Sequence, residues 1–183
     1  MGVSDAVVHA FAAEAAGSPQ LMQSLCLIAC FETSNDERRD TRSTVPADLE
    51  LISRVCKRTA TTTDYSSTVE KMKDGPKTRG TDRKSHALKL GGAVVDVYPL
   101  ILMAIAADPP ELTIRYANLV GRISCLCTHE PPSGSSVTGA CSHMSEIAKG
   151  AENRVVVEWD VASDVLDVRD PYLLFFLRWA DWE

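Results

Sequence analysis

Residues 154–168 read RVVVEWDVASDVLDV, and the interpretation of this stretch decides the fold of the second half of the chain. Residues 154–159 and 165–168 are rich in β-formers, and Val161-Ala162-Ser163-Asp164 between them has the length and polarity of a turn. A β-hairpin is therefore predicted. Working outward toward the N-terminus, 135–149 reads as a helix and 128–134 as a loop with two prolines. Residues 116–125 read as a helix through Leu119, Val120 and Ile123, and 112–114 as a short strand. Residues 96–107 form a strongly apolar helix that tolerates Pro99 because it falls in the first turn, where no intrahelical N–H is needed. Helix, short strand, helix, helix and hairpin is the element order of a winged helix. Working the other way, Asp170-Pro171 caps a helix over 172–179 that must bury Leu174, Phe175 and Leu177.

The first half is helical. Ser4 or Asp5 caps a helix carrying Val7, Val8, Phe11, Ala12 and Ala15 at three- and four-residue spacing, which ends at Gly17. Ser18, with Pro19 following, caps a second helix whose broad apolar face holds Leu21, Met22, Leu25, Cys26, Ile28 and Ala29. After a polar loop over 33–46, residues 48–58 read as a third helix through Leu49, Ile52, Val55 and Cys56. A short helix over 65–73 precedes Gly75-Pro76, where a basic stretch without apolar periodicity reads as a linker.

At 183 residues and 45% hydrophobic composition, the chain has enough apolar material for one sizeable domain or two small ones. Its opening residues lack the basic and apolar regions of a secretory signal, and the apolar run 97–107 is too short to cross a bilayer. The reading is an intracellular, cytoplasmic protein with no membrane partner. Six scattered cysteines fit reduced thiols better than a disulfide framework. The net charge is −6, yet residues 71–89 hold seven Lys or Arg against two Asp, a local +5. That asymmetry is the main electrostatic feature.

Gly17-Ser18-Pro19-Gln20-Leu21-Met22-Gln23, Gly75-Pro76, Thr81-Asp82-Arg83-Lys84, Met144-Ser145-Glu146-Ile147-Ala148, and Asp170-Pro171-Tyr172 through Arg178-Trp179 together resemble the C-terminal part of a family of AAA-type ATP-binding proteins. In that family a nucleotide domain is followed by a helical lid and then a winged helix. The resemblance spans nearly the whole chain. It implies a lid-like subdomain over 1–74, a basic linker over 75–92, and a winged-helix domain with its C-terminal helix over 93–183. The family's phosphate-binding core would precede Met1, and no GxxxxGK[ST] loop occurs in these residues.

The chemistry-bearing motifs are weak. Asp74-Gly75-Pro76-Lys77-Thr78 lacks the upstream glycine of a P-loop and sets Pro76 where a phosphate cradle needs an N–H. Cys125, Cys127, His129, Cys141 and His143 form a CxCxH...CxH pattern, but a one-residue spacing inside a helix turns two ligands about 200° apart, so no metal site is expected. Cys26 and Cys30, one turn apart, read as small hydrophobes on a core face. Gly134-Ser135-Ser136-Val137-Thr138-Gly139 misses the nucleophile elbow by one position, and His9 has no evident partner. No catalytic residue and no cofactor are assigned, so the chain reads as a non-enzyme.

Lys77, Arg79, Arg83, Lys84 and Lys89 are the candidate nucleic-acid ligands, because a flexible basic linker can neutralise phosphates. Against this, 135–149 holds one base, Lys149, opposed by Glu146, and 154–183 holds seven acids against three bases. A recognition helix needs donors for base edges and phosphates. The expected fold is thus mainly α with a small β-hairpin, a helical lid-like subdomain followed by a winged-helix domain. The expected function is a non-catalytic regulatory module docking a P-loop ATPase chain or another protein, with nucleic-acid binding through the linker as the alternative.

Overall fold

The structure, a computed structural model, describes residues 2–35, 37, 44–45, 48–77, 80, 82–152 and 155–182. It is mainly helical, with small β elements. The first half contains β1 (Gly2–Val3), α1 (Asp5–Glu14), α2 (Pro19–Glu32), β2 (Thr44–Val45), α3 (Leu49–Ala60) and α4 (Ser66–Asp74). The second contains β3 (His86–Ala87), β4 (Val94–Val95), α5 (Val97–Ala106), β5 (Thr113–Arg115), α6 (Tyr116–Leu126), α7 (Gly134–Glu152), β6 (Val157–Asp160), β7 (Val165–Val168) and α8 (Pro171–Trp179).

Helix starts follow local chemistry. Ser4, Ser18, Asp48, Asp96 and Asp170 each accept a first-turn backbone N–H, of Val7, Leu21, Glu50, Tyr98 and Tyr172 respectively. Pro19 and Pro171 stand at the first positions of α2 and α8, where their fixed φ suits the helix. In the second half, β5, β7 and β6 form one antiparallel sheet in that order. Ile114 lies opposite Leu166 and Trp159 lies on the other side of Leu166.

Two apolar clusters hold the chain together. The first gathers Val7, Phe11, Leu21, Leu25, Leu51 and Val55 from α1 to α3. The second gathers Leu100, Ile101, Leu119, Ile123, Met144 and Leu166 from α5 to β7. Helix α8 serves both. Phe175 is buried in the first cluster, while Leu173, Leu174, Phe176 and Leu177 are buried in the second. Helix α4 lies within the stretch expected to form the lid, yet its Val69 and Met72 pack in the second cluster.

Several expectations are corrected in detail. Part of the polar loop over 33–46 is strand β2, paired in parallel with β1, while much of the remainder lies outside the described residues. Within the segment read as a basic linker, His86–Ala87 is strand β3, which pairs antiparallel with β4. Cys26 is exposed and Cys30 half-buried, so they do not share a core face. Leu21, Leu25 and Ala29 form the buried stripe of α2, and Cys26 stands about 100° round the helix from Leu25.

Candidate functional site

The basic segment borders a cleft of about 750 Å³ where the end of α4 meets β4 and the start of α5. Gly75 terminates α4 with φ +61°, a left-handed conformation that glycine adopts without steric penalty. Its amide donates to the Lys71 carbonyl, and a Cβ at this position would meet the Tyr98 ring at 2.7 Å. The chain then folds back so that Arg83 lies over the Tyr98 ring, 4.6 Å from its centroid. The Arg83 guanidinium donates to the Asp74 carbonyl at 2.8 Å, to the Pro76 carbonyl and to Asp96 Oδ2 at 2.6 Å. The other Asp96 oxygen caps α5 through the Tyr98 amide. Burial raises the Tyr98 hydroxyl pKa, a shift that Arg83 opposes, and that hydroxyl lies 3.1 Å from His143 Nδ1 on α7. Arg83 therefore joins α4, α5 and the basic segment.

The other candidate ligands are dispersed. Lys84 pairs with Glu130 at 3.1 Å, both side chains being well exposed. Lys89 Nζ lies 3.5 Å from the Ser124 carbonyl at the end of α6. Lys77 lines the cleft with Lys73 and Arg83, but Asp74, Asp82 and Asp96 line it too, so among the described residues the charged groups balance. Arg79 lies outside the described residues. The structure thus brings Lys77 and Arg83 to one cleft and places Lys84 and Lys89 elsewhere.

In the cysteine and histidine pattern, Cys125 is exposed while Cys127 and Cys141 are buried. Burial pushes the Cys141 thiol up to about 12, and it also raises Cys127. His129 and His143 are exposed, and among the described residues no three His, Cys, Asp or Glu side chains converge as a metal would require. The serine run at 134–139 opens α7 rather than a turn around a nucleophile.

Two polar clusters had no counterpart in the sequence reading. Arg178 on α8 donates to both oxygens of Glu14 on α1, to the Ala106 carbonyl and to Asp108, and Trp179 Nε1 donates to Glu14 Oε2 at 2.7 Å. Burial disfavours the Arg178 charge, but Glu14 and Asp108 outweigh it and its pKa rises. The Tyr65 hydroxyl donates to Asp170, the residue that caps α8. Each partner lies far away in sequence, so local pattern offers no signal for either cluster. Comparison of the chain with protein-family profiles, with characterised proteins and with solved structures finds no match in any of the three.

Proposed function

We propose that this chain is a non-catalytic interaction module, similar to the lid and winged-helix half of an AAA-type ATP-binding protein, and that it works by docking protein, a P-loop ATPase chain being the first candidate. The order α5, β5, α6, α7, β6, β7 and the sheet order β5-β7-β6 support reading 97–168 as a winged helix, with α7 in the recognition position and the β6–β7 turn as the wing.

One observation carries the choice of protein over nucleic acid. The exposed residues of α7 include Ser135, Ser136, Gly139, His143, Glu146 and Lys149, and the wing turn exposes Asp160 and Asp164. Hydrogen bonds from Ser163 and the Ala162 amide hold the Asp160 carboxyl below its ordinary range, so the wing keeps its negative charge. A duplex backbone needs cations on these surfaces. In the basic segment, Arg83 is already engaged with Asp96 and two carbonyls.

Fluorescence anisotropy with labelled duplex and single-stranded DNA, at roughly 50 and 200 mM salt, tests this reading. The expected outcome is no saturable binding at micromolar protein. Binding that weakens steeply with salt and is lost in a Lys77→Glu, Lys84→Glu chain would give the function to nucleic acid instead. Saturable ATP binding at micromolar affinity would remove the non-catalytic part of the reading.

A further inference from the structure

A second depression, of about 690 Å³, lies between the β3–β4 hairpin and helices α5, α6 and α8. Its walls are apolar, built by Leu88, Leu90, Val95, Met103, Leu126 and Leu177. Leu90, in the hairpin turn, is 89% exposed, and Val94 on β4 is 62% exposed. Gly91 and Gly92 take φ +73° and +65°, so the turn that holds Leu90 outward is built on left-handed backbone. A lone exposed leucine is ordinary, but Leu90 continues the apolar wall of this groove, which Ala93 and Val95 of the hairpin also line, while Val94 between them faces the charged cleft described above.

The hairpin also offers backbone. The Leu88 amide donates to the Ala93 carbonyl, and Ala87 lies opposite Val94. The Ala87 carbonyl accepts from the Thr128 amide on the far side of β3. Ladder geometry alternates, so Ala87 and Val94 form a non-hydrogen-bonded pair, and the Val94 N–H and C=O point away from β3. Among the described residues β4 pairs only with β3. A free edge beside an apolar groove is the arrangement that receives an added strand, with backbone bonds supplying affinity and alternate side chains entering the groove.

Charge selects the kind of strand. Among the described residues, the charged ones lining the groove are Lys73 and Arg178, and no carboxylate lines it. Arg178 is neutralised by Glu14 and Asp108. Lys73 instead donates to the Trp182 carbonyl and lies over the Trp182 ring. Lys89, between Leu88 and Leu90, approaches the Ser124 carbonyl. One ammonium group, that of Lys73, whose hydrogen-bond partner is a carbonyl, thus lines an apolar groove with an open strand edge, while Lys89 lies outside the lining. The geometry points to an extended segment of a partner protein, apolar at every second position and acidic in between, pairing with β4. This inference rests on the protein-docking reading above and names the surface that serves it.

The test pans a displayed library of random decapeptides against the full chain, with Leu90→Ser and Val94→Pro chains as counter-targets. Leu90→Ser alters a side chain outside both cores, and Val94→Pro removes an outward N–H without touching the β3 ladder. Circular dichroism checks that both fold. Enriched clones should carry apolar residues at alternate positions and net negative charge. Their synthetic peptides should bind at least tenfold more weakly to either variant, and again when N-methylated on the pairing edge. No enrichment, enrichment of basic or helix-patterned clones, or affinity unchanged by both variants overturns the proposal. Self-association abolished by Leu90→Ser would assign the groove to a second copy and also overturn it. The DNA measurements decide the broader docking reading separately, so a chain that ignores DNA and these peptides loses only the groove.

Discussion

Arg178 on α8 grips Glu14 on α1 with two parallel hydrogen bonds of 2.9 and 2.7 Å. The side chains are only 9% and 13% exposed, so this pair is shielded from solvent and fixes the C-terminal helix to the N-terminal one. Removing Arg178 leaves the shielded Glu14 charge without a cation, which typically costs about 3–5 kcal/mol, whereas removing Glu14 leaves Arg178 its Asp108 partner. Arg178→Ala should lower urea-unfolding stability by about that amount, and Glu14→Ala by less, because Arg178 keeps Asp108. Arg178→Lys should recover little, because an ammonium cannot reproduce the fork that reaches both oxygens. The double variant should be less destabilised than the sum of the single variants. Additive losses would show that the pair is not coupled.

Gly75 and Tyr98 give a second test. The φ of +61° and the ring 2.7 Å from an added Cβ act together against any side chain. Gly75→Ala should destabilise by about 1–3 kcal/mol through left-handed strain and overpacking. Gly80, at φ +104° with nothing near its Cβ position, separates the two causes. Gly80→Ala should suffer the backbone term without the clash, and thermal melts of the two variants should rank accordingly.

What the sequence made legible was whatever its neighbours encode. Ser18 and Asp170 are readable as caps because a cap needs only a side chain and an N–H two or three residues on, and Asp48 and Asp96, read as the first residues of their helices, cap them in the same way. The 157–168 hairpin was legible for the same reason. The parallel pairing of Gly2 with Thr44, the Tyr65–Asp170 bond and the Arg178–Glu14 pair join residues far apart, and no local pattern encodes them. Helix α4 was assigned by its place in the chain, whereas Val69 and Met72 follow their apolar face into the second cluster. Of the candidate site, the basic residues were readable as charges. That Arg83 is tied to Asp96 and Tyr98 depends on how the segment folds back.

The cysteines should divide by burial. Cys56 and Cys141 are fully buried, and burial pushes each thiol up to about 12. At pH 8 the thiolate is the reacting species, so both should resist iodoacetamide until the chain unfolds. Exposed Cys125 should be labelled in the native protein. Exposed Cys26, whose pKa is raised by burial and then by Cys30, should follow more slowly. The sign of the pH effect is fixed. Above the ordinary thiol value of 9.0 the unfolded chain loses these protons while the folded chain retains them up to about 12, so stability falls as pH rises through that window. Cys141→Ala should flatten part of that fall, and mass spectrometry of labelled peptides checks the order. Native labelling of Cys141 would contradict its burial.

Helix α8 gives the last prediction, because neighbouring residues of one helix enter different cores. Leu174 is buried with the α5 and sheet residues, and Phe175 with α1 to α3. Leu174→Ala should cost about 2–5 kcal/mol and Phe175→Ala about 3–5 kcal/mol, each leaving a cavity that packed neighbours refill only in part. The informative quantity is the shape of unfolding. If α8 couples the clusters, both variants should still melt in one transition, seen alike in near-ultraviolet and far-ultraviolet circular dichroism. Hydrogen exchange should then speed up in α2 and α5 together, whichever residue is truncated. Were Phe175→Ala to loosen α2 while leaving α5 protected at its original level, α8 would be an adhesive between independently stable halves. In that event Arg178→Ala should also release the first cluster alone, and the two variants would share one exchange pattern.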